Sequence, residues 1–132
     1  MKLKTLLIIN AIIALVYGIG ELLFPATMSS IYGVAYSPGV GLLSQYFGLT
    51  LIFMSLLTWF ARNITDSEAR RAMILSLLIS HTIGIIVSVM GTVSGLMSAV
   101  GWSAVVIYLL LALGYAYFLF KKQTAPSATS GA

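Results

Sequence analysis

Four stretches of this chain are long, apolar and nearly free of charge: Thr5 to Phe24, Val40 to Ala61, Ala69 to Thr92 and Ala99 to Phe120. A helix that crosses the hydrocarbon layer of a bilayer needs roughly 20 such residues to cover about 30 Å, and each stretch meets that length. No water is present in that layer to satisfy backbone N–H and C=O groups, so continuous runs of this kind are expected to close their hydrogen bonds internally as helices. The short alternating strands of a membrane β-barrel do not occur in the pattern. Composition points the same way. Only 8% of the 132 residues are charged against 60% hydrophobic, whereas a water-soluble domain carries about a quarter charged. The expected fold is all-α: an integral membrane four-helix bundle, up-down-up-down, forming one domain over residues 1–122.

Punctuation between the stretches supports this division. Pro25 stops the first helix and suits the first position of another. Met28, Ile31 and Tyr32 then follow at helical spacing, so a short interfacial helix is expected in the first loop. Ser37-Pro38-Gly39 is a turn into the second span. Thr65 or Asp66 is expected to cap the third helix, with Glu68 in the first turn, where the helix dipole favours an acid. The loop around Gly95 to Ser98 is short enough to make the third and fourth helices antiparallel neighbours. The tail from Gln123 to Ala132 lacks apolar periodicity and is expected to be disordered.

Charge gives the direction of insertion. Lys2 and Lys4 precede the first span, Arg62, Arg70 and Arg71 lie between the second and third, and Lys121 and Lys122 follow the fourth. The other two loops hold no base. Basic residues favour the cytoplasmic side, so both termini and the central loop are expected there, in a cell's inner (plasma) membrane. Trp59 and Trp102 then fall at opposite interfaces, where indoles prefer to sit. Lys2, Lys4 and Gly18-Ile19-Gly20 also fit a cleavable signal peptide. Continuation of the apolar run to Phe24 favours retention as a span. A net charge of +4 placed beside the spans is no nucleic-acid signal, and the absence of cysteine removes disulfides and thiolate chemistry.

Polar side chains inside lipid are costly and usually face the bundle interior. Depth follows from about 1.5 Å per residue. Asn10 and His81 fall about 9 Å and 15 Å in from Lys4 and Arg71, the latter near mid-membrane. Glu21, Gln45 and Ser88 each stand seventeen residues from a base (Lys4, Arg62 and Arg71), and so share one level about 25 Å in. Helical spacing groups Asn10, Ala14, Tyr17, Gly18 and Glu21 on one face, and Gly41, Gln45, Gly48 and Ser55 on another. The third span carries His81, Gly84, Ser88, Gly91 and Gly95, and the fourth Gly101, Ala104, Tyr108, Ala112 and Tyr115. Small residues at this spacing let helices approach closely, so Gly48, Gly84, Gly91 and Gly95 are expected to pack. The sharper expectation is an outer-leaflet polar pocket around Tyr17, Glu21, Gln45, Ser88 and Tyr108. Asn10 suits interhelical hydrogen bonding, and a lone His81 is a poor basis for a metal or haem site. With no phosphate-binding loop, no HExxH and no paired carboxylates, neither a metal nor any other cofactor is expected.

The segments Trp59-Phe60-Ala61-Arg62 and Ser67 to Ala72, with Gly101-Trp102 and Tyr108 to Phe118, resemble a group of small, uncharacterised prokaryotic four-span inner-membrane proteins. That group has no assigned activity, so the resemblance implies topology and no mechanism. Small multidrug transporters are similar in size and also carry a Glu in the first helix, but use it at mid-membrane, unlike Glu21 near the outer edge. The leading functional expectation is a non-enzymatic accessory or assembly subunit. The alternative is a homo-oligomeric carrier of a small molecule or lipid, working through the pocket around Glu21. The expected partners are the lipid bilayer and a second copy or another membrane protein, and no nucleic acid.

Overall fold

A computed structural model describes residues 1–121. Lys122 and the expected disordered tail from Gln123 to Ala132 lie outside the described residues. Among the described residues five helices follow one another, α1 (Leu3–Leu23), α2 (Pro25–Tyr32), α3 (Pro38–Ala61), α4 (Ser67–Val93) and α5 (Gly101–Phe120). All but α2 are long and apolar enough to cross a membrane. The molecule is an all-helical bundle of four such helices with the short α2 at one end.

Local chemistry sets each boundary. Pro25 opens α2 directly after Phe24, whose backbone leaves the helical region at φ −129 and ψ 51. Gly33 ends α2 in the left-handed conformation at φ 70, and the Val34 N–H donates to the Ser29 carbonyl at 2.9 Å, closing the helix end. Ser37 caps α3, its Oγ accepting from the Val40 N–H at 3.2 Å with Pro38 at the first helical position. Of the two expected caps for α4, Asp66 serves, accepting from the Ala69 N–H at 2.7 Å. The last span begins at Gly101 rather than Ala99. Its approach is a tight turn in which the Gly101 N–H donates to the Ser98 carbonyl at 2.8 Å.

The long helices pair as two antiparallel hairpins, α1 with α3 and α4 with α5, and α1 also touches α5 to join them. Within the first hairpin the backbones meet. A Cβ on Gly48 would lie 2.7 Å from both the Gly18 carbonyl oxygen and the Leu22 nitrogen. One on Gly18 would lie 2.9 Å from Ile52. Ser55 Oγ donates to the Ala11 carbonyl at 2.7 Å along the same seam. The second hairpin is looser: Gly84 faces the Tyr108 ring, and Gly91 faces only the flexible Met97 side chain of its own connection. Gly95 is not a packing residue, contrary to expectation. The helix has already ended at Val93, and Gly95 occupies a turn at φ 78 with open space around its α-carbon. Its requirement is for a left-handed backbone, which glycine adopts without steric cost.

The hairpins are held together towards the end that carries the bases. There Leu3, Leu6 and Leu7 of α1 interlock with Ile74 and Leu77 of α4 and with Leu111 and Tyr115 of α5. The outward surfaces are largely apolar, with Val16, Leu43, Val87 and Leu110 all exposed. Continuous apolar surface of this extent marks contact with a membrane or partner rather than water.

The backbone seam makes a prediction. Gly48→Leu should destabilise the protein by more than the 1–3 kcal/mol or so typical of overpacking, because backbone cannot rotate away as a side chain can. Gly91→Leu should cost less, and Val16→Leu almost nothing. Thermal unfolding in detergent ranks the three, and equal losses would refute the seam.

Candidate functional site

Between the two hairpins, from mid-bundle to the α2 end, lies a cleft of about 570 Å³. Its walls are mostly apolar, with Ile13, Leu51, Met54, Ile107 and Leu111 among them. The cleft opens sideways between α3 and α4, which are not a closely packed pair. The exposed Leu43, Phe47 and Thr50 flank that opening on α3, and Ser80 and Val87 on α4.

Asn10 and His81 form the floor. Asn10 is buried, and its Nδ2 donates to the hydroxyl of the fully buried Tyr115 at 2.7 Å. The His81 ring packs at 5.7 Å from Tyr108 and 5.4 Å from Tyr115. Its Nδ1 lies 2.6 Å from the Leu77 carbonyl, which can only accept, so Nδ1 carries the hydrogen. In the neutral ring Nε2 is then an acceptor. It has no hydrogen-bond partner among the described residues, yet it is not sealed from its surroundings. His81 is only 2% exposed and lines the cleft, so this nitrogen faces the cavity.

At the α2 end the polar groups gather again. Glu21 is 7% exposed and its carboxylate accepts from Ser44 Oγ, which also lies 3.2 Å from the Glu21 carbonyl oxygen. Tyr17, Tyr32, Ser88 and Tyr108 complete this end. Burial first, and then the neighbouring Tyr17 and Glu21, hold the Tyr32 phenol above its ordinary range. It therefore stays protonated and able to donate.

Four of the five expected pocket residues, Tyr17, Glu21, Ser88 and Tyr108, line the cleft. Gln45 does not. It is exposed, and its Nε2 donates to the Leu22 carbonyl at 3.3 Å. The reason is rotational. Gly48 and Ser55 form the face of α3 that meets α1, Gly41 continues it under the Tyr36 ring, and residues 44 and 45 leave that face on opposite sides. Ser44 turns into the cleft and Gln45 away from it. Depth along the helix placed Gln45 at the right level but carried no information on this angle. Tyr32 was also missed as a site residue, although its helical spacing with Met28, which lines the cleft too, marked the face that α2 turns inward. Among the described residues no group of three His, Asp or Glu side chains comes together.

No family model matches this chain, and no curated protein or solved structure is similar enough to match it. Fold and site nonetheless define a class: a multi-pass, membrane-type helical bundle with a laterally open, mainly apolar cleft and polar groups at both of its ends.

The floor can be tested by removing one hydroxyl. Tyr115→Phe should cost about 0.6 kcal/mol and no more than about 1.7, the average and the maximum for interhelical hydrogen bonds in a membrane protein. Asn10→Leu should cost a similar amount, and the double variant no more than either alone. Additive losses in denaturant titrations would show that the Asn10–Tyr115 bond contributes nothing.

Proposed function

We propose that the protein is a binding protein or carrier for an amphiphilic, mainly apolar molecule, which it takes from the bilayer into the cleft between its hairpins. The observation behind this reading is the convergence of Glu21, Tyr17, Ser88, Tyr108 and His81, from three different helices, on one cavity with a sideways opening. Ligand sites are commonly concave and mostly apolar, with a few placed polar groups. A merely structural bundle would consume its polar side chains in helix-to-helix bonds. Asn10 and Ser55 are used in that way, and they support the second reading, an accessory subunit that packs on a partner. His81 Nε2, by contrast, has no such use here.

The basic end of the molecule is assigned to the cytoplasm of an inner (plasma) membrane. Lys2, Lys4, Arg62, Arg70 and Lys121 gather around one depression there, as the excess of bases on the inner side requires. Trp59 beneath the Arg62 guanidinium, 4.0 Å from its ring centroid, suits an interface at that level.

Two outcomes check these readings. A cysteine at Ser37 should react with an impermeant thiol reagent in intact cells, and one at Ser67 only after permeabilisation. The reverse pattern would invert the assignment. For the cleft, Ala104→Phe should fill the cavity while leaving the hairpin seams intact. Lipophiles that co-purify with the protein, read by native mass spectrometry, should be lost from this variant with little change in melting temperature. Retention of the same adducts would place them on the outer surface.

A further inference from the structure

We propose that the occupant of the cleft carries a positive charge, an ammonium group on an apolar tail, held at the α2 end by Glu21 and a cage of tyrosines. This rests on the cleft being a binding site, and goes on to name the class of molecule that fits it.

Glu21 is the only acidic residue in any of the four long apolar segments apart from Glu68 in the capped first turn of α4. Among the described residues its carboxylate has a single side-chain partner, the neutral Ser44 hydroxyl on one oxygen. The other oxygen has no partner and is not sealed in protein, so it is open to the cleft that Glu21 lines. Among the described residues no Lys or Arg lines that cleft. The described bases at the termini and central loop lie at the opposite end of the bundle. A carboxylate removed from water without a counter-charge is costly, and a ligand cation supplies the missing partner.

Tyr17 and Tyr32 line the same end of the cleft as Glu21, and Tyr108, packed edge-on against His81, lines it on the way to the floor. Tyr17 lies one turn below Glu21 on α1, Tyr32 comes from α2, and Tyr108 from α5. Tyr32 lies near Tyr17, Glu21 and Tyr108, and of these groups only Glu21 carries a charge at neutral pH. Aromatic faces gathered around a negative charge attract quaternary and primary ammonium groups. Such a cage repels an anionic head and gives little to an uncharged one. Below it the walls are mostly apolar as far as the Asn10 level. That distance is eleven residues of α1, or about 16 Å, and suits a single extended alkyl chain.

The probe is dodecyltrimethylammonium, titrated against the full chain in maltoside micelles, with dodecanol and dodecanoate as uncharged and anionic comparators. The ammonium should bind about tenfold or more tightly than dodecanol, and dodecanoate should not bind. Glu21→Gln should abolish the preference for the ammonium while dodecanol binds as before. Tyr32→Leu, on the short helix outside the bundle seams, should weaken ammonium binding alone, which keeps the proposal testable if Glu21→Gln does not fold. Lysophosphatidylcholine distinguishes the source of the cation. Binding equal to the ammonium identifies a lipid headgroup as the occupant, and much weaker binding a free cationic amphiphile. Equal binding of dodecanol and the ammonium, or a preference that survives Glu21→Gln, overturns the charge assignment but leaves the cleft. If none of the three chains binds and Ala104→Phe changes nothing, the cleft reading itself fails.

Discussion

The contact on which the rest of the molecule depends is the meeting of two backbones where α1 crosses α3. Gly18 and Gly48 bring main-chain atoms to a distance at which no side chain could stand between them. Lipid offers helices no hydrophobic drive to associate, so close packing and hydrogen bonds must do the work. The Ser55 bond to the Ala11 carbonyl lies on this same seam. Because these attractions act within a hairpin, the space between hairpins is left to larger side chains. Where the leucines of α1 interlock with Leu77, Leu111 and Tyr115 that space is filled. Towards α2 the filling stops and the cleft begins.

This division explains how the polar groups are used. Those on the seams are spent on other helices, as with Ser55 on α1 and Asn10 on Tyr115. Two that face the cleft keep an atom without a partner among the described residues: His81 Nε2 and one oxygen of Glu21. Polar atoms are expensive to leave idle at membrane depth. Two of them facing one cavity from opposite ends give that cavity an internal direction, with a hydrogen-bond acceptor at its floor and a carboxylate at its α2 end.

Much of this was legible in the chain. Span lengths, the Pro25 break, the Ser37 turn and the Asp66 cap are local, and local chemistry decided each of them. The burial of Asn10, Ala14, Gly18 and Glu21 along one face of α1 follows from helical periodicity alone. Gln45 and Gly95 show where such reasoning ends. For Gln45 the missing quantity was the rotation of α3 about its axis, which is set by where the glycines of a distant helix fall. For Gly95 it was the point at which α4 stops, because a glycine continuing a stripe in sequence looks the same whether the helix has ended or not. That the hairpins part at one end is a property of four helices together, and no single face announces it.

The sideways opening between α3 and α4 changes what recognition can consist of. A molecule entering there leaves hydrocarbon for hydrocarbon, so the exchange of one apolar neighbour for another contributes almost nothing net to its residence. In a water-facing pocket of the same size the apolar walls would supply most of the affinity. Here they serve as a gauge of length and width, and the free energy that separates one visitor from the next is concentrated in a few polar atoms. On the proposed carrier function, such a site would hold its ligand weakly against the surrounding lipid unless the polar end matched. Discrimination without tight retention is a property better suited to passing a molecule on than to storing it.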